Sequence, residues 1–189
     1  MEHKQSISTR KIVFAALMAA LTVAGSALRI TLPIDIAGTT SFHLGNIMCA
    51  LSGILLGPWL GGLAAALGSA IYDMMNPLYI SEAWITFLTK GAYGLVPGLI
   101  MLLWKKNWGI GKAAIASAGG ALTYAALYLG KSYFYSGRLL KGLTHEAAML
   151  GMVAKIPATI FNAVIAIVFA PILAVAIRKA LEKNRLTLN

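Results

Sequence analysis

Of 189 residues, 59% are hydrophobic and 12% charged, with mean hydropathy +0.77; a soluble domain carries roughly 25% charge, so a water-soluble fold is excluded and an integral membrane protein is expected. The length accommodates about six spans of roughly 20 residues with short connections and no separate soluble domain, giving one membrane domain over 1–189. A net charge of +10 would suit nucleic acid on a single basic face, but ten of the sixteen Lys and Arg form three clusters beside apolar runs (Lys4, Arg10, Lys11; Lys105, Lys106, Lys112; Arg178, Lys179, Lys183, Arg185), the pattern of cytoplasmic membrane loops, and no nucleic-acid partner is expected.

The polar lead MEHKQSISTRK suggests a short interfacial helix ahead of span one, at about 12–32. This apolar run continues without an A-x-A-like exit, so it reads as a retained helix rather than a cleaved signal. Ala15, Ala16, Ala19 and Ala20 make small-residue rows at i and i+4, and in lipid such rows let helix backbones approach. One row is expected to meet another helix, either within this chain or in a separate subunit. Residues 33–43, PIDIAGTTSFH, read as a loop. Span two, about 44–57, is short, which implies tilt or a broken helix, and GPW at 57–59 turns the chain. Cys49, the single cysteine, can make no internal disulfide and reads as a packed small side chain. Span three, about 60–75, shows Gly61, Ala65 and Ser69 on one face and Gly62, Ala66 and Ala70 on the next, suited to two close neighbours.

Ser69 to Lys90 then interrupts the oily sequence with Asp73, Asn76, Glu82, Thr86 and Lys90. Ionisable groups at membrane depth persist when buried in protein or lining a cavity, so a binding cavity is expected here. Span four covers about 83–104 and ends in WKKNW; span five covers 111–130; 132–146 reads as a loop; span six covers 147–177, with a bend at Pro157 and a second candidate bend at Pro171. Six spans put both termini on one side, and the basic clusters place that side in the cytoplasm. Asp35, Asp73, Glu82 and Glu146 then fall in or beside outer loops. Arg29, Arg138 and Lys141, with Lys131 close by, are cations near the same face that are either outnumbered or set to attract an anion.

Helical spacing gathers the polar residues into stripes: Glu82, Thr86, Lys90 and Tyr93 on span four; Tyr124, Tyr128, Lys131 and Tyr135 on span five; Met152, Lys155, Thr159 and Asn162 on span six. They are expected to converge in the outer half of an all-α bundle, below loops carrying Asp35, His43, Asp73 and Asn76. A buried lysine needs a carboxylate, carbonyls or an anionic ligand, so Lys90 and Lys155 meet either the solute or an internal partner such as Asp73 or Glu82. Tyrosine on these faces serves either as core or as a stacking surface for a flat ring. No G-x-S-x-G, H-E-x-x-H, Walker A or paired-cysteine spacing occurs, and His3, His43 and His145 lie far apart; no enzyme is expected, and uphill transport would need an ion gradient or a partner.

The basic lead into ALMAALTV with Ala16 and Ala20 in an A-x-x-x-A arrangement, HLGNIMCALSGILLGPWLGGLAAALGSAIYD, and ITFLTKG at the start of span four resemble the substrate-binding S component of an energy-coupling factor (ECF) transporter, the vitamin-uptake branch of bacterial and archaeal ABC importers. The resemblance covers nearly the whole chain. It implies high-affinity capture of a vitamin or related solute at the outer face of the cytoplasmic membrane. Docking on a T subunit through Ala16 and Ala20, and toppling to release the solute, would follow. No cofactor is implied in this chain, ATP being used by two partner ATPases. The lysines favour an anion such as pantothenate or a folate-like compound, whereas the aromatics suit any flat ring. The rival readings are a self-sufficient secondary transporter or channel with Lys90, Asp73 and Glu82 in a proton relay, disfavoured by the lack of a visible inverted repeat, and a membrane enzyme using His43 or His145.

Overall fold

The computed structural model describes residues 8–34, 38–104 and 107–186, without the side chains of 32–34, 38 and 39. The 1–7 lead with His3 and Lys4, and also Asp35, Lys105 and Lys106, therefore lie outside the described residues. The elements are α1 (Thr9–Ala27), β1 (Arg29–Ile34), β2 (Gly38–His43), α2 (Gly45–Met75), a 3-10 turn (Ile80–Glu82), α3 (Ala83–Leu102), α4 (Ile110–Lys131), a π-helical stretch (Ser132–Leu140), α5 (His145–Val153) and α6 (Ile156–Lys183). Among the described residues, five stretches are long and apolar enough to cross a membrane: Thr9–Ala27, Gly45–Met75, Ile80–Leu102, Ile110–Leu140 and His145–Lys183. The protein is a polytopic helical membrane protein.

α2 contains spans two and three of the sequence reading. Pro58 has no N–H to give the helix and disfavours helical backbone at the residue before it. Gly57 accordingly leaves the helix, at φ 78 and ψ −177. The two limbs then fold against one another: the Ser52 hydroxyl donates to the Gly61 carbonyl at 2.9 Å, and Cys49 Sγ and Ser69 Oγ are 3.7 Å apart. Cys49 is fully buried. Backbones also meet across the α2–α3 contact. A Cβ on Gly53 would fall on the Gly94 carbonyl oxygen, and one on Gly98 would fall on the backbone of Pro58. Alanines 50, 65, 113, 116, 166, 170 and 174 fill the core around Tyr93, which is how helices pack when lipid offers no hydrophobic drive.

Four boundaries differ from expectation. Helix α1 stops at Ala27 rather than 32, and the expected loop forms an antiparallel hairpin from Arg29↔His43 to Ile34↔Gly38, so the fold is helical with one small sheet. The expected loop at 132–146 is π-helical as far as Leu140. Span six is two helices, parted at Ala154 and Lys155, because Pro157 cannot bond the Val153 carbonyl and its ring crowds that position. α6 then runs unbroken through Pro171. The alanine rows of α1 separate: Ala15 and Ala19 pack against the core, while Ala16 and Ala20 are exposed beside exposed Ile12, Val13 and Leu17.

Gly53→Ala is expected to lower the melting temperature in detergent, by about 1–3 kcal/mol of stability for an overpacked contact. Gly130→Ala, with nothing within 4 Å of the added carbon, serves as the control and is expected to be neutral or slightly stabilising; equal effects would show that the α2–α3 contact yields freely.

Candidate binding site

At the end of the bundle that holds the hairpin, a cavity of about 340 Å³ opens among α2, α3, α4, the π-helical stretch and α6. The helical stripe Glu82, Thr86 and Lys90 faces it from the 3-10 turn and α3, and Ser69 and Asp73 face it from the second limb of α2. On α4 the lining runs through Tyr124 and Tyr128, but then passes to Ser132, Ser136 and Leu140, with Lys131 beside them. The wider i→i+5 winding of the π-helix turns Tyr135 away, where its hydroxyl accepts from Trp84 Nε1 at 3.1 Å. Lys155, Thr159 and Asn162 line the cavity from the start of α6, whereas Met152 does not.

The hairpin covers this chamber because its polar strand is fastened to the helices. The His43 amide donates to Asn162 Oδ1 at 3.0 Å, and Asn162 Nδ2 donates to the Ser41 carbonyl at 2.7 Å. The hydroxyls of Ser41 and Tyr79 lie 3.2 Å apart, and those of Thr40 and Tyr128 lie 3.5 Å apart. Arg29 at the foot of β1 donates from Nε to the Ser26 carbonyl at 2.7 Å and sets its guanidinium 4.1 Å from the Tyr72 ring centre and 4.9 Å from that of Tyr79.

Charge inside is arranged unevenly. Glu82 pairs with Lys131 at 2.5 Å and accepts from Ser136 at 2.6 Å. Neither Glu82 nor Asp73 forms an ion pair with Lys90 among the described residues. Lys90 instead donates to Asn46 Oδ1 and lies 3.9 Å from the Tyr124 ring centre. The internal partner of this lysine is thus a neutral amide and an aromatic face, not the carboxylates considered from sequence. Lys155, 5% exposed, has no carboxylate at ion-pair distance among the described residues, and its ammonium is 5.9 Å from the Tyr128 ring centre.

Of the residues singled out from sequence, Lys90, Thr86, Glu82, Asp73, His43, Tyr128, Lys131, Lys155 and Asn162 line the cavity, and Asn76 and Tyr93 do not. Asn76 donates to the Tyr72 hydroxyl and accepts from the Leu78 amide, closing the turn after α2. Tyr93 is wholly buried behind the lining, stacked on Tyr124 at 5.1 Å, which stacks in turn on Tyr128 at 5.6 Å. Asn46, Ser41, Tyr79, Ser132 and Ser136 are lining residues not singled out for the site from sequence. They sit in the hairpin, the turn and the π-helical stretch, or, for Asn46, alone at the start of an apolar helix.

His43 presents a buried Nδ1 with no partner among the described residues. Burial first, then the charges of Lys90 and Arg29, hold its pKa well below the ordinary 6.5, so the ring is neutral at pH 7.

A partly open chamber with hydrogen-bonding groups, paired and unpaired charges and stacked aromatic faces thus lies within a helical membrane chain, where such groups persist because protein encloses them. The sequence profile of the family described as "ECF-type riboflavin transporter, S component" matches residues 6–179. The chain belongs to this family, the S components of ECF-type vitamin transporters. It is also 30% identical over 118 residues, 62% of this chain and 74% of the relative, to a protein of Pyrococcus woesei described as "Uncharacterized protein in gap 3'region".

Lys131→Met is expected to leave Glu82 with the Ser136 hydroxyl as its hydrogen-bond partner among the described residues and to cost about 1–3 kcal/mol, as for a partly exposed charged group that loses its partner. Adding Glu82→Gln should restore much of the melting temperature. A double variant as unstable as the single would show that the lysine acts through packing alone. For His43, the unfolded chain takes up a proton before the folded one. Its contribution is therefore complete above about pH 6.5 and lost as the pH falls from there toward the depressed folded value. Melting temperatures from pH 7.5 to 5 should decline below this point in the wild type and more shallowly in His43→Gln.

Proposed function

We propose that this chain is the solute-capturing subunit of an ECF-type importer in a bacterial or archaeal cytoplasmic membrane. It binds a vitamin or related micronutrient with high affinity at the outer face and delivers it inside after docking on a T subunit and two ATPases. The observation that carries this reading is the polar chamber at the hairpin end of the bundle, in a chain of this family. In the proposed topology α1, the two limbs of α2, α3, α4 and the α5–α6 pair make six spans, with both termini cytoplasmic and the hairpin outside. The excess of cations near the opposite end, where Lys112 and Arg178 flank Trp104 and Trp108, supports that orientation.

Helix α1 supplies the docking face in this reading. Ala15 and Ala19 are occupied by the core, so exposed Ala16 and Ala20 remain to accept a close helix from the T subunit. Riboflavin, named in the family description, is the first solute to test, beside pantothenate and folate.

The decisive measurement is uptake into cells or proteoliposomes with and without the T subunit and ATPases. Uptake that needs both, and ATP, is expected; accumulation by this chain alone in an ion gradient would overturn the proposal. Ala16→Leu and Ala20→Leu should reduce that uptake several-fold while the isolated variants bind solute as before, since the bulk lies on the outer face of α1. Parallel loss of binding would mean that these alanines hold the chain's own fold.

A further inference from the structure

The chamber is lined by five cations, Arg29, Lys90, Lys131, Lys141 and Lys155, against two carboxylates, Asp73 and Glu82, and Glu82 is already paired with Lys131. Three of the cations have local arrangements: Lys131 its carboxylate, Lys90 the Asn46 amide and Tyr124 face, and Arg29 the Ser26 carbonyl and two rings. Lys141 is exposed. Lys155 is different, because it is 5% exposed, lines the chamber and has no ion pair or side-chain acceptor among the described residues. Neither polar group on the same face of its own helix accepts from its ammonium among the described residues. The Thr159 hydroxyl donates back to the Lys155 carbonyl at 2.9 Å, and Asn162 is spent on the hairpin.

A second feature coincides with it. Lys155 is the N-cap of α6, a helix of 28 residues with no acidic side chain in its first turn. The break from α5 therefore starts a new helix at the chamber wall, and the positive end of its dipole adds to the ammonium rather than being offset by a capping carboxylate. Interrupted membrane helices present their N-termini to anionic groups of solutes in this way. Glu82, the carboxylate that shares the chamber with it, is already held by Lys131; a desolvated cation with no carboxylate at ion-pair distance among the described residues is costly, and an anion entering the chamber would lower that cost.

Resting on the capture reading above, we infer that the solute is an anion, and that its carboxylate or phosphate is met by Lys155 at the start of α6 while its remaining groups lie toward the Tyr128 face. A neutral flavin is thereby disfavoured as the cargo of this chain.

The test uses the full chain in detergent and isothermal titration with matched probes: pantothenate against panthenol, nicotinate against nicotinamide, biotin against its amide, and folate and riboflavin 5'-phosphate against riboflavin. At least one anion is expected to bind, with any neutral counterpart weaker by about 10-fold or more. Lys155→Met should reduce affinity for that anion by about 10- to 150-fold, the range for losing a charge-assisted hydrogen bond, and abolish the discrimination, whereas Lys155→Arg should keep most of it. Riboflavin or another neutral probe binding as tightly as the anions overturns the inference and leaves vitamin capture standing. Discrimination that survives in Lys155→Met also overturns it. Binding of none of the probes overturns both readings. If Lys155→Met does not fold, the wild-type preference between anionic and neutral probes, with Lys155→Arg, decides.

Discussion

Close backbone contact between the folded-back limbs of α2 and α3 is the constraint on which the rest of the structure depends. α3 is divided along its length. Its first half carries Thr86 and Lys90 into the chamber, and its second half offers Gly94 and Gly98 to Gly53 and Pro58. The glycine half brings the helices so near that the polar half is drawn in behind the hairpin, out of contact with lipid. In a bilayer this enclosure is obligatory, because an amine or carboxylate facing hydrocarbon would have nothing to bond with. Small residues at one end of a helix thus make polar residues at the other end tolerable.

What was legible in sequence follows from the same division. Helical spacing placed Glu82, Thr86 and Lys90 on one face and Lys155, Thr159 and Asn162 on another, and both stripes do line the chamber, since a regular helix preserves the register that spacing assumes. The turn at Gly57 was legible for a related reason, a glycine before proline within an apolar run. The hairpin was not. Its first strand, RITLPI, continues the hydrophobic run of α1, and alternation over six residues is hidden when the preceding helix is equally apolar. The π-helical stretch defeated spacing outright: a periodicity of 3.6 predicts Tyr135 in line with Tyr128, whereas the wider winding substitutes Ser132 and Ser136. Asn46 carried no signal at all, because its role depends on a lysine 44 positions away.

The hairpin matters because it converts an open-ended bundle into a chamber. It is held to the helices by hydroxyl and amide contacts of Thr40, Ser41 and His43 with Tyr128, Tyr79 and Asn162, and by the edge-to-face packing of Phe42 on Phe161 at 4.8 Å. Neutral hydrogen bonds of this kind contribute about 1 kcal/mol each, far less than the helix contacts below. A neutral His43 suits this cover, because a charged ring there would add to Arg29 and Lys90.

Lys90 and Lys155 are equally shielded from solvent but differently partnered. Both are 5% exposed and both line the chamber. Lys90 has an amide oxygen and a tyrosine face within reach, arranged by α2 and α4. Lys155 stands where a helix has just begun, with no carboxylate at ion-pair distance among the described residues. Burial alone does not distinguish a scaffold lysine from a binding one. The distinction lies in whether the protein has already supplied the acceptor, and among the described residues none stands within hydrogen-bond reach of Lys155.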